Sequence, residues 1–226
     1  MNRVTRIVAV LGTAAVLAAV VAAPPSNAAT SRTLTAKATP TAAIAGTQVT
    51  IAGKLSSSPK GSSVKIQRYN GSSWVTSKTA LSGTGGSYSA KVTLPATPKA
   101  YKYRAYASAT KTLASAKSPT ITVTSLRKTK FYFGPIYQGD AHVGGDMVVA
   151  GSLKSPCTKG AAVSLQRKVG SAWTKVGSSV TTTQSSVCPF QVTDHNAQAG
   201  FYRVVISRKG LNSSVVSPAQ QVTPQP

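Results

Sequence analysis

The sequence predicts an all-β protein: two tandem β-sandwich domains behind an N-terminal signal peptide. Three observations carry this. Apolar residues alternate with Lys, Ser and Thr at period two through most of the chain, the mark of strands with one buried face. Turn-forming Gly, Asn and Pro separate the alternating runs, at the spacing of sandwich strands. A block pattern returns once, so that Val64 recurs as Val163, 99 residues later.

The N-terminus is read as an address. Arg3 and Arg6 precede an apolar run from Ile7 to Ala23, and small Ser26 and Ala28 fit the minus-three and minus-one positions of a signal-peptidase site. The predicted signal peptide is 1–28, with cleavage one residue later as the alternative. A retained membrane anchor is disfavoured because the apolar run is short for a full span. No Cys follows that run and Gln221 to Pro226 carries no apolar tail or sortase-like signal. The expected product is secreted, extracellular or loosely cell-wall associated, with no transmembrane span after cleavage, and monomeric.

The first domain is placed at 31–124. Val49 and Ile51 alternate with Thr50 and Ala52, and Val64 and Ile66 with Lys65 and Gln67. Asn70-Gly71 follows and suits a tight hairpin turn. Gly83-Thr84-Gly85-Gly86 reads as a hairpin loop, because no helix or Lys-Ser/Thr follows to make a phosphate cradle. Then Tyr88, Ala90, Val92 and Leu94 form one apolar face, and Tyr101, Tyr103, Ala105 and Ala107 another. The second domain, 125–223, repeats the order. Val163-Ser164-Leu165-Gln166-Arg167 answers Val64-Lys65-Ile66-Gln67-Arg68, Trp173 answers Trp74, Tyr202-Arg203 answers Tyr103-Arg104, and Ser217-Pro218 answers Ser118-Pro119.

Gly200-Phe201-Tyr202-Arg203-Val204 resembles the Gly-x-Tyr-x-Cys segment of an immunoglobulin strand F, with Val204 where the Cys would stand. The wider pattern is similar to bacterial secreted immunoglobulin-like or fibronectin-III-like domains arranged in tandem. The resemblance implies that Tyr202 is a tyrosine corner, its hydroxyl bonding upstream backbone, with Tyr103 its counterpart. It implies little about activity, since such modules serve as spacers, adhesin stalks and binding accessories.

Cys157 and Cys188 are the only cysteines. An even pair in a secreted chain predicts a disulfide, and their spacing is not the CxxC of a redox or metal site. The repeat places Cys157 in the loop after the second strand and Cys188 at the start of the fifth. Asp140, His142 and Asp146 fall in one Gly-rich stretch, and Asp194 and His195 follow the fifth strand. Together they form a candidate metal-binding pole. The simpler alternative is loop Asp residues making local turns beside Gly.

Charge is the strongest signal. The 226 residues hold 26 Lys and Arg against three Asp and no Glu, for a net charge of +23. The first domain has no Asp, Glu, His or Cys, hence none of the usual bases for a Ser or Thr nucleophile. The chain is therefore read as non-enzymatic, with no cofactor. Lys65, Lys91, Lys102 and Arg104 fall on outward strand positions, suggesting one strongly positive sheet surface. Arg127, Lys128 and Lys130 interleave with Phe131, Tyr132 and Phe133. That run could stack bases or sugars, or more simply begin the second domain. Trp74 and Trp173 are read as packing beside Arg68 and Arg167. The expected partner is an anionic cell-wall polymer or other extracellular polyanion. The alternatives are an adhesin- or spacer-like module with a protein partner, and the metal-binding pole.

Overall fold

The computed structural model describes residues 29–138, 143–183 and 187–223. The predicted signal peptide, Asp140 and His142 lie outside them. Among the described residues seventeen strands form, with one short 3-10 turn at Thr84–Gly86. The first nine are β1 (Lys37–Thr39), β2 (Ala42–Ile44), β3 (Gln48–Lys54), β4 (Ser63–Tyr69), β5 (Trp74–Leu81), β6 (Ser87–Thr93), β7 (Ala100–Ala107), β8 (Ala116–Lys117) and β9 (Ile121–Leu126). The other eight are β10 (Phe131–Gln138), β11 (Met147–Leu153), β12 (Ala162–Val169), β13 (Ala172–Thr181), β14 (Cys188–Asp194), β15 (Gly200–Ile206), β16 (Val215–Val216) and β17 (Gln220–Val222).

They form four sheets that never mix the two halves of the repeat. In the first half, a three-stranded sheet β1-β3-β6 faces a six-stranded sheet ordered β2-β9-β7-β4-β5, with β8 also on β7. In the second half, β10-β11-β14 faces β13-β12-β15-β16, with β17 also on β15. All pairings are antiparallel except β2 on β9. Each half has its own apolar cluster. Val49, Ile51, Val64, Ile66 and Tyr103 belong to the first, and Val149, Val163, Leu165, Tyr202 and Val204 to the second. These are the inward residues of the period-two runs. Burying each large aliphatic side chain stabilises by roughly 1.5–3 kcal/mol.

Two connections differ from the sequence reading. Asn70-Gly71 is not a two-residue hairpin turn. Tyr69 pairs with Trp74, leaving four loop residues. Asn70 Oδ1 accepts hydrogen bonds from the backbone N–H of Ser72 and Ser73 at 2.9 and 2.8 Å, and only Gly71 takes a positive φ, 113°. The Asn side chain thus builds the turn itself. The Gly83–Gly86 stretch is likewise no hairpin loop, because β5 and β6 lie in different sheets. It carries the chain across the sandwich. Gly86, at φ +78°, sits with its Cα hydrogen against the Leu55 carbonyl, where a Cβ would collide with backbone.

Candidate functional site

The charged positions fall on two surfaces. Lys65 on β4 and Lys102 and Arg104 on β7 point away from the first core, on the outer face of the six-stranded sheet. Lys65 pairs across to Tyr106 and Arg104 to Gln67. Lys117 on β8 joins them beside Tyr106. Lys91 does not: it lies on β6, in the opposite sheet, paired with Thr50. The expected single positive face therefore loses Lys91 and gains Lys117. Lys65, Lys102 and Lys117 are exposed.

Arg104 is held in place. Its Nε donates to Gln67 Oε1 at 2.9 Å, and its guanidinium lies 4.2 Å from the Trp74 ring centroid, well within cation–π range. The second half repeats the device: Arg203 Nε donates to Gln166 Oε1 at 2.8 Å and stacks 4.1 Å from Trp173. The two tryptophans thus pack on Arg104 and Arg203, not beside Arg68 and Arg167 as the sequence suggested. Each arginine lies two strands later in the chain and reaches its tryptophan across one intervening strand, β4 or β12, on the same outer face. Arg68 instead reaches the inner side, 5.6 Å from the Tyr101 ring.

Around this shared Gln–Arg–Trp stack the two faces differ. Positions of Lys65, Lys102, Tyr106 and Lys117 become Ser164, Phe201, Val205 and Val216 at the repeat offset. Phe201 and Val216 are 45% and 48% exposed. The first face gathers three lysines; its duplicate replaces them with Ser164, Phe201 and Val216 while keeping Lys168 and Lys175 beside Trp173 and Gln166.

In the segment that opens the second half, Arg127 is tied down by Asn212, whose Oδ1 accepts from its guanidinium at 3.2 Å. Lys128 and Lys130 are exposed. Phe131 begins strand β10 and packs edge-on to Phe190 at 6.2 Å, and Tyr137 packs on the same core. Phe131 and Tyr137 serve the sandwich, and Tyr132 is 57% exposed.

The Asp and His residues are brought together in part. The loops before β11 and after β14 pair through Gly144 N–H to Ala197 O and Ala197 N–H to Gly145 O. This sets His195 Nδ1 at 2.8 Å from Asp146 Oδ1. Asp194 turns inward: it is 4% exposed, accepts from Asn196 N–H at 3.2 Å and lies 3.4 Å from the Tyr202 hydroxyl. Among the described residues no three His, Cys, Asp or Glu side chains meet.

Cys157 and Cys188 form a disulfide, joining the loop after β11 to the start of β14. The Tyr202 hydroxyl donates to Gln198 O at 2.9 Å and accepts from Gln198 N–H at 3.0 Å. That is the tyrosine-corner bond. In the first half it is made by Tyr101, which donates to Thr97 O at 2.9 Å. Tyr103 is fully buried and its hydroxyl bonds no loop carbonyl; the Arg68 guanidinium lies beside it instead. Burial raises its pKa, and the nearby charge of Arg68 opposes that rise. The offset of 99 equates Tyr103 with Tyr202 in the strand, but the loop before β7 gives the corner to the tyrosine two residues earlier.

Among the described residues no helix is long and apolar enough to cross a membrane. No family model and no curated protein matches the chain. Solved structures similar to it include the D0-D1 domain of intimin (14% identity, 84% of this chain and 96% of that one, TM-score 0.32). A tetra-tandem repeat in the extending region of a large adhesion protein matches at 12% identity, 86% and 49% coverage and TM-score 0.33. The Yersinia pseudotuberculosis adhesin InvE matches at 13% identity, 84% and 58% coverage and TM-score 0.32. The chain spans about half the length of the latter two. Independently of these likenesses, the facing sheets, their strand order and the tyrosine corner on β15 make the architecture that of immunoglobulin-like β-sandwiches.

Proposed function

We propose that this chain is a secreted, non-enzymatic binding module that attaches electrostatically to anionic cell-envelope or extracellular polymers. The outer face of the six-stranded sheet carries this reading. It presents Lys65, Lys102 and Lys117 around the fixed Arg104, and residues 29–126 contain no Asp or Glu to neutralise them. Uncompensated cations on one face attract polyanions at long range, and counterion release makes the binding salt-dependent. Lys128 and Lys130 would add contacts from the neighbouring half.

Co-sedimentation with purified cell walls tests this reading. Binding should fall steeply with rising salt and disappear when the anionic wall polymers are removed. Absence of binding at low salt would overturn it. A second reading, a protein-interaction module of adhesin or spacer type, is favoured by one observation: the exposed apolar patch of Phe201 and Val216. Salt-insensitive capture of a partner that Phe201→Lys abolishes would support that reading instead. The metal-binding pole gains no such support, since Asp194 is committed to Asn196 and Tyr202.

A further inference from the structure

We propose that the notch between the β4–β5 loop and the start of β7 is a seat for a phosphate group of the anionic polymer. This rests on the polyanion reading above and narrows it to one place. The notch is lined by Tyr69, Asn70, Gly71, Lys99, Tyr101 and Lys102 and encloses about 240 Å³. That is just under the roughly 300 Å³ at which pockets for drug-sized ligands begin, so it suits one charged group and a small adjoining unit.

Its polar groups are donors. Lys99 and Lys102 are exposed at the two sides of the turn into β7. Lys99 Nζ lies 5.1 Å from the Tyr101 ring centroid, and that ring is itself fixed by its hydroxyl bond to Thr97 O. Asn70 spends its side-chain oxygen on the N–H groups of Ser72 and Ser73, which leaves the amide NH2 to donate. Two ammonium groups and an amide match a tetrahedral oxyanion with several acceptor oxygens. A neutral ligand would leave those charges unanswered. The Tyr69 and Tyr101 rings supply an apolar wall for the carbon chain of an adjoining polyol.

The duplicate half shows that the shared frame does not require Lys99 and Lys102. At the repeat offset, Asn70, Lys99, Tyr101 and Lys102 become Val169, Gln198, Gly200 and Phe201. Both halves nevertheless build the same β-hairpin and central strand. The donor set is therefore a property of one half, added to a shared frame.

The test is a titration of the isotope-labelled full chain with inorganic pyrophosphate at constant ionic strength, followed by amide chemical shifts. Saturable shifts are expected at Asn70, Gly71 and Lys99 to Lys102. The double variant K99Q/K102F imports the residues of the other half and should keep the melting temperature. It should weaken pyrophosphate binding by at least about tenfold, since charge-assisted contacts are the strong ones. Shifts that spread over the lysines without saturating, or wild-type affinity in K99Q/K102F, would overturn the seat. A parallel arm measures retention of the same proteins on immobilised polyphosphate. Retention lost in K65S/K117V but intact in K99Q/K102F would remove the seat and leave the polymer reading standing. Failure of the wild type to bind polyphosphate at low salt would remove the polymer reading, while the pyrophosphate titration still decides the seat.

Discussion

Three buried tyrosines have different duties, and their hydroxyls tell them apart. Tyr202 closes the corner with two hydrogen bonds to Gln198. Tyr202→Phe should cost about 1–2 kcal/mol in denaturant unfolding, because it also leaves the Gln198 N–H without its acceptor. Tyr103→Phe should cost less than Tyr202→Phe, since its buried hydroxyl bonds no loop backbone and has only the Arg68 guanidinium beside it. A comparable cost at both positions would show that the corner follows the repeat register after all. Tyr88 adds a pH dependence. Its hydroxyl donates to Thr35 O and burial raises its pKa from 10.0 to about 12. The unfolded chain releases this proton near the ordinary value while the folded chain still holds it, so Tyr88's contribution to stability falls as pH rises from 10 towards 12. Equilibrium unfolding across that window should show the wild-type advantage over Tyr88→Phe shrinking with pH; a constant gap would contradict the shift. At this scale the sequence showed which residues are inward, because period two fixes the face. It did not show which tyrosine reaches the loop carbonyl, because that depends on how far the connection from β6 to β7 brings its backbone.

At the level of elements, strands were legible and connections were not. Alternation placed Val49, Ile51, Val64, Ile66, Tyr88, Ala90 and Val92 in the core, and all are buried. The Gly83–Gly86 stretch looked like a hairpin because glycine signals a turn without saying which sheet the next strand joins. Its need is steric: Gly86→Ala combines a positive φ with a clash on the Leu55 carbonyl. It should destabilise by more than about 1 kcal/mol, read from a shift in the denaturation midpoint. The disulfide was legible from compartment and count. It ties the β11 loop to β14, closing the residues between Cys157 and Cys188. Replacing both cysteines with Ser should cost roughly 3–4 kcal/mol in the chain-entropy model for a loop of about 30 residues. Thermal melting of the double variant checks it.

For the molecule as a whole, the two halves share a frame and differ in surface chemistry. The Gln–Arg–Trp stack is common to both, while Lys65, Lys102 and Lys117 give way to Ser164, Phe201 and Val216. Removing cations from the first half should therefore reduce polyanion binding more than removing the same number from the second. Affinity measured at several salt concentrations should show a shallower slope for K65S/K102F/K117V than for K168S/K175S/R208S, because fewer counterions are released. Equal slopes would mean that net charge alone governs binding. The sequence by itself determined the all-β class, the duplication, the inward faces and the charge, since each follows from local period, self-similarity or composition. Only the tertiary structure decided which cations share a surface, that Trp74 lies on Arg104, and that Lys91 stands on the far sheet. Those outcomes depend on which strands become neighbours. Pairing joins residues distant in the chain, and alternation within one strand carries no record of its neighbour.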